Sequence, residues 1–162
     1  MAETKQQPTT ELEWHRKFAM ETNHLVWDLL AKEGRTAQED EKMIHAAHTS
    51  RYHWGEIGTT VHLTRGDWMI SHVYVVLNQP QPALHYAQSC LEICQQHAIG
   101  DFDIAYAYEA MARAFAALGQ KADCEKYLAL AQEAGEHIQN IEPEDKDIFF
   151  GDFESGPWFG MK

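Results

Sequence analysis

The sequence is short of positive charge: 13 Lys+Arg stand against 25 Asp+Glu, a formal net charge of −12. Such a surface repels phosphate backbones and anionic lipid, which argues against nucleic-acid and membrane partners. No apolar run approaches the ~20 residues a membrane span requires. The opening residues Met1-Ala-Glu-Thr-Lys lack a secretory apolar stretch, so a cytoplasmic location is expected. Cysteine is scarce, three in 162 residues, an odd number that supplies no disulfide framework. Proline is absent from every periodic segment: the five stand at 8, 80, 82, 143 and 157 and leave long stretches free to be helical. Alternating β-branched runs are missing too, since Val73 to Leu77 lies inside a longer helical pattern. What remains is 44% apolar and 23% charged, the composition of one globular domain rather than a disordered chain.

The punctuation of the chain predicts helices in pairs. Thr10 with Glu13 and Thr36 with Glu39 each read as a reciprocal capping box. Trp14, Phe18, Leu25 and Leu29 are expected to form the buried face of the first helix, and Gly34 its left-handed end. Met43, Ala47, Ser50 and Trp54 share one face of the second, which Gly55 and Gly58 close. Thr59 or Thr60 caps a third helix running to about Leu77 and Asn78. Pro80 and Pro82 open a fourth, with Leu84, Ala87, Leu91 and Cys94 inward and Gly100 at its end. Asp101 or Asp103 is expected to cap a fifth that stops at Gly119, and a sixth covers about Ala122 to Ile138. A short final helix from Pro143 carries Ile148, Phe149 and Phe153.

An offset of 41 residues superposes the third and fourth helices on the fifth and sixth. Tyr74 meets Phe115, Ser71 meets Ala112, Asn78 meets Gly119, Ala83 meets Cys124, Tyr86 meets Tyr127 and Cys90 meets Ala131. Small residues suit close helix crossings, and the aromatics fill the space between hairpins. Ala112, Phe115, Gly119, Cys124 and Ala131, with Ser71, Tyr74, Asn78, Ala83 and Cys90 before them, resemble the tetratricopeptide repeat. The offset exceeds the ~34 residues usual for that repeat, and Asp67 stands where the later copy has Tyr108. The stretches Ser50-Arg51-Tyr52-His53-Trp54, Arg65-Gly66-Asp67-Trp68 and Ile99-Gly100-Asp101-Phe102-Asp103 also resemble a family of small uncharacterised bacterial proteins. The resemblance implies an all-α fold, a short superhelix of three helical hairpins with a C-terminal capping segment. Its parts are a flexible start (1–9), a divergent first hairpin (10–54), two repeats (60–138) and an aromatic cap (139–162).

Ten histidines invite a metal reading. Glu41, His45, His48 and Tyr52 share one helix face and could present a carboxylate and two imidazoles to an ion, with His72 as an additional ligand. The order is not that of the zinc peptidases, and Glu21-Thr-Asn-His24 lacks the second copy of a di-iron bundle. The plainer expectation is half-buried His48 and Tyr52 packed against the third helix. Cys90 and Cys94, with Cys124 and His97, only approximate a zinc set, so packing is expected for them as well. No cofactor is expected.

In a stack of this kind the leading helix of each pair lines a concave side. Arg65, Trp68, His72, Val75 and Val76, then Tyr106, Glu109, Arg113, Ala116 and Ala117, are assigned to it. Of these, Arg65, Trp68, His72, Tyr106, Glu109 and Arg113 are the candidate ligand-binding residues, an aromatic floor with polar groups of both signs. Arg65 or Arg113 could equally pair with Glu109 and seal the groove. The expected function is a non-enzymatic binding or scaffold module for a protein segment or small ligand. The alternatives are a metal-dependent or acid–base enzyme using His45, His48, His72 and Glu109, and a homodimer joined by the tail of Phe149, Phe150, Phe153, Trp158 and Phe159.

Overall fold

The computed structural model describes residues 7–139, 142 and 144–162. Residues 1–6 of the expected flexible start, and Pro143 as the start of the last helix, lie outside the described residues. The chain is all-helical, with no strand among the described residues. Its helices are α1 (Glu11–Ala31), α2 (Ala37–Ile57), α3 (Thr60–Val76), α4 (Pro80–Gln96), α5 (Asp101–Leu118), α6 (Lys121–Glu136) and α7 (Asp145–Glu154).

The first two starts follow the expected capping logic. Glu13 N donates to Thr10 Oγ1 at 3.2 Å while Thr10 N donates to Glu13 Oε2 at 3.1 Å. Thr36 and Glu39 repeat this at 3.2 and 2.9 Å. At α3 the returning acceptor is a histidine: Thr59 N donates to His62 Nδ1 at 3.1 Å. The turns are made by left-handed residues at Gly34 (φ 67°), Asn78 (φ 53°) and Gly119 (φ 72°).

Three expectations need correction. Gly100 is not the left-handed end of α4; Ala98 takes that role with φ 51°, and Gly100 is the extended N-cap of α5. The reversal is completed earlier because Ile99 N donates to Cys94 O at 2.9 Å, which brings the Ile99 side chain onto the core. Asp101 and Asp103 do not cap α5, since Asp101 Oδ1 accepts from Gln139 N and Asp103 binds Arg65. Trp14 and Phe18 are not core: they stack on each other at 5.4 Å and stay 37% and 39% exposed. The buried face of α1 is Ala19, Val26 and Leu29, because the small Ala19 lets α2 approach until Ser50 Oγ reaches Ala19 O at 2.8 Å.

Consecutive helices pack in sequence, α1 on α2, α2 on α3, α3 on α4, α4 on α5 and α5 on α6, and α3 also touches α5. The 41-residue correspondence is geometric as well as sequential. Tyr74 stacks on Tyr86 at 6.2 Å and 19°, and Phe115 on Tyr127 at 5.6 Å and 16°. At the turns Gln79 N donates to Tyr74 O at 2.8 Å and Gln120 N to Phe115 O at 3.0 Å.

Three core clusters result. Val26, Leu29, Met43 and Ala47 join the first hairpin to Ile70 and Val73 of α3. Ala83, Ala87, Leu91 and Cys94 pack against Ala107, Ala110 and Met111 of α5. The third is the tail: Phe149, Phe153 and Trp158 are buried over Ala105, Ala112, Ala116, Cys124 and Ala131. Gly135 is required there, since a Cβ would collide with the Phe149 ring. The aromatic tail therefore caps the last hairpin, and α7 rests on α5 and α6. No helix among the described residues is long and apolar enough to cross a membrane.

Candidate functional site

The contact of α3 with α5 leaves a cavity of about 430 Å³ on the side where α1, α2 and α7 converge. α3 supplies His62, Arg65 and Trp68, and α5 supplies Phe102, Asp103 and Tyr106. Asn23 and Trp27 enter from α1, Trp54 from α2, and Ile148 and Asp152 from α7. A smaller recess of about 70 Å³ adjoins it, sharing Trp27, Trp68 and Asp152 and adding His72, Glu109, Arg113, Ser155 and Gly156.

Trp68 is the hinge of the arrangement. Its ring lies flat on His72 (5.0 Å, 9°), stacks on Trp27 (6.1 Å, 29°) and takes the edge of Tyr106 (5.3 Å, 83°). Its Nε1 donates to Glu109 Oε2 at 2.7 Å. The other oxygen of Glu109 accepts from Arg113 Nε. Arg113 then donates through Nη1 to Ser155 O (2.8 Å) and through Nη2 to Asp152 O (2.5 Å), with its guanidinium 4.2 Å from the Trp158 ring centre. Glu109 is 0% and Arg113 1% exposed. A buried pair of this kind is stable only with its remaining valences satisfied, and Trp68 and the tail carbonyls satisfy them.

At the wall of the larger cavity Arg65 binds Asp103 through two bonds, at 2.7 and 3.1 Å, over the Phe102 ring. The bonds to Asp103 hold the guanidinium pKa above its ordinary value against the opposing effect of burial. Tyr106 donates its hydroxyl to Asp152 Oδ2 at 2.5 Å, and burial together with that carboxylate pushes the phenol pKa upward. Burial, then the field of Arg113, depresses the His72 imidazole to about 4. Its Nδ1 is enclosed without a hydrogen-bond partner among the described residues. Burial and the Arg65 charge also lower His62, which stacks on Trp54 at 4.2 Å.

The six candidate residues therefore gather at one place, with Trp68 common to both cavities. Arg65, Trp68 and Tyr106 line the larger, and Trp68, His72, Glu109 and Arg113 the smaller. Of the two pairings expected for Glu109 the one with Arg113, one turn further along α5, is made, and Arg65 pairs with Asp103. One detail differs from expectation. Val75 and Ala116 are buried in the packing clusters rather than lining a groove, and Val76 and Ala117 line neither cavity. The open surface thus ends near Arg113, where the tail crosses.

The histidine cluster is not assembled. Glu41 and His45 face solvent, 3.8 Å apart, and His48 Nε2 is bonded to Tyr74 Oη at 3.0 Å. His48 also meets the edge of Tyr86, and burial lowers its pKa. Among the described residues no group of three or more His, Cys, Asp or Glu is placed to hold a metal ion. Cys90 and Cys94 share Thr64 Oγ1 at 3.2 Å each, and Cys124 lies apart in the tail cluster. The hydrogen bond from Cys90 lowers the Cys94 thiol to about 7, and the same bond with burial raises Cys90.

Sequence reasoning missed Trp27, Trp54, Phe102, Asp103, Ile148 and Asp152. The signal for Trp27 was its place on α1 off the buried Ala19–Val26–Leu29 face, where a large ring needs a neighbour. Asp152 had a fainter one, a carboxylate set between Phe149 and Phe153. Comparisons with protein-family models, with curated proteins and with solved structures gave no match to the chain.

Proposed function

We propose that the chain is a non-enzymatic binding module, a short TPR-like stack of helix pairs whose concave side receives a small ligand or a protein segment. The observation that carries this reading is the 430 Å³ cavity walled by Trp27, Trp54, Trp68, Phe102 and Tyr106. Its size falls in the ~300–1,000 Å³ range of small-molecule sites, and an apolar wall with few polar groups is their usual chemistry. The end of the groove is covered by α7 and the tail, which favours a compact ligand over a long segment. Free thiols at Cys90, Cys94 and Cys124 suit a reducing cytoplasm.

The other readings have less support. For acid–base chemistry, both oxygens of Glu109 are already bonded, to Trp68 and Arg113, and His45 and His48 line neither cavity. For a dimer through the tail, Phe149, Phe153 and Trp158 are buried against the chain's own α5 and α6.

A thermal-shift screen of small molecules against the native chain and Trp27→Ala tests the proposal. Trp27 is 45% exposed, so its removal leaves the fold in place while opening the cavity wall. Ligands that raise the melting temperature of the native chain and lose that effect in Trp27→Ala support the reading. Equal shifts in both proteins, or none in either, refute it.

A further inference from the structure

The charges around the two cavities are unevenly matched. In the larger, Arg65 is neutralised by a two-bond pairing with Asp103. In the recess, Arg113 is neutralised by Glu109. Asp152 belongs to both cavities, and among the described residues its carboxylate is in no ion pair. Among the described residues its carboxylate accepts only from the neutral Tyr106 hydroxyl, and Arg113 reaches its backbone carbonyl instead of its side chain. In the recess with it, His72 has an enclosed Nδ1 that no group among the described residues satisfies. Burial keeps that imidazole neutral at pH 7. The junction of the two cavities therefore offers one negative charge that is uncompensated among the described residues, with a neutral imidazole in the recess beside it. Trp27 and Trp68 line both cavities and border the junction with apolar rings.

We propose that this site binds a small organic amine in its ammonium form, with its apolar body between Trp54, Trp68 and Phe102. The ammonium sits at the junction, donating to the Asp152 carboxylate. The proposal rests on the binding-module reading and assigns its ligand class. The acidic balance of the whole chain, −12, works in the same direction by drawing cations toward the surface.

Isothermal titration of the full chain at pH 7 with three probes of one shape tests it: 4-phenylbutylamine, 4-phenylbutan-1-ol and 4-phenylbutyrate. The amine should bind at least tenfold more tightly than the alcohol, and the carboxylate most weakly. Asp152→Asn, whose amide oxygen still accepts from Tyr106, should weaken the amine at least tenfold and remove its advantage over the alcohol measured on the same variant. If that variant does not fold, the ranking of the three probes on the native chain decides alone. An alcohol as tight as the amine, or a carboxylate that binds best, overturns the ammonium assignment and leaves the cavity as a binding site. Absence of heat with all three also overturns it; the binding-module reading then stands or falls separately, on the Trp27→Ala screen.

Discussion

Trp68 and Glu109 are joined by a 2.7 Å hydrogen bond and are separated by 41 residues, the length of one repeat. Equivalent positions of consecutive helix pairs therefore bond directly to each other across the α3–α5 contact. Glu109 also holds Arg113, and Arg113 holds the carbonyls of Asp152 and Ser155. One buried carboxylate thus links the third helix, the fifth helix and the tail. These are the elements that enclose the recess, so the stability of the stack and the shape of the cavity depend on the same group.

Removing that carboxylate should be costly. Glu109→Ala leaves the Arg113 guanidinium charged in a site that excludes water, at a loss of about 3–5 kcal/mol. Trp68→Phe keeps an aromatic ring but removes the pyrrole part of the indole with its N–H donor, at a loss of at least about 1–3 kcal/mol. Urea unfolding should therefore rank the native chain above Trp68→Phe and Trp68→Phe above Glu109→Ala. A Glu109→Ala midpoint equal to the native one would show that Arg113 finds another anion.

The two turns of the repeat offer a matched pair of substitutions. Gly119 and Asn78 both adopt the left-handed conformation, with φ of 72° and 53°. Gly119→Ala forces a Cβ into that region at a cost of about 1–2 kcal/mol, although no atom of the described residues lies within 4 Å to clash with it. Asn78→Gly relaxes the same strain in the earlier copy, and its larger unfolded-state entropy opposes the gain. Thermal melts should show a clear loss for the first and a change within about 0.5 kcal/mol for the second.

Much of this architecture was legible because its signals are local. Thr10 with Glu13, Thr36 with Glu39, and Pro80 each act within one helical turn, so their spacing alone locates a helix start. The 41-residue offset was visible for a related reason: Tyr74 and Phe115 fill the same gap in successive pairs. Arg65, Trp68 and Tyr106 could be assigned to one cavity by counting from those turns. Trp27 and Asp152 could not, since α1 and α7 stand outside the repeat and their approach is decided by tertiary packing. Ala98 illustrates the same limit on the smaller scale of a turn. A glycine two residues away looked like the left-handed residue, and burial of Ile99 moved the reversal onto an alanine. Trp14 and Phe18 have helical spacing but lie at the outer end of the stack, where no later helix covers them.

The tail is expected to be a structural part of the domain. Phe149 is fully buried over Gly135 and beside Tyr106, Phe150 and Phe153. Phe149→Ala should cost about 3–5 kcal/mol by opening a cavity. Gly135→Ala should also destabilise, since its new methyl must displace the Phe149 ring. Deleting residues 148–162 removes the acceptors of Arg113 along with these rings. The truncated chain should expose apolar surface, bind a hydrophobic dye and self-associate on a sizing column. A monomeric, fully cooperative truncation would show that the tail is dispensable.

Stability should fall on acidification through His72. Its neighbours are Trp68 on its own helix, Glu109 and Arg113 from α5, Asp152 from α7 and Trp27 from α1. Burial and Arg113 hold its folded-state pKa at about 4, below the 6.5 of a free imidazole. Between those values the unfolded chain binds the proton and the folded chain does not, so unfolding becomes easier as pH falls. The contribution is present in full above about pH 6.5, declines toward pH 4 and levels off below it, about 3 kcal/mol in all. His72→Phe preserves the stack on Trp68 and removes the titration. Urea unfolding of both proteins at several pH values between 7 and 4 should show the native chain losing more stability than the variant. His48, His53 and His62, whose pKa values are also lowered, remain in both proteins and cancel in the difference. Parallel curves for the two proteins would mean that His72 is protonated as readily in the folded chain as in the unfolded one, which would place water at Nδ1.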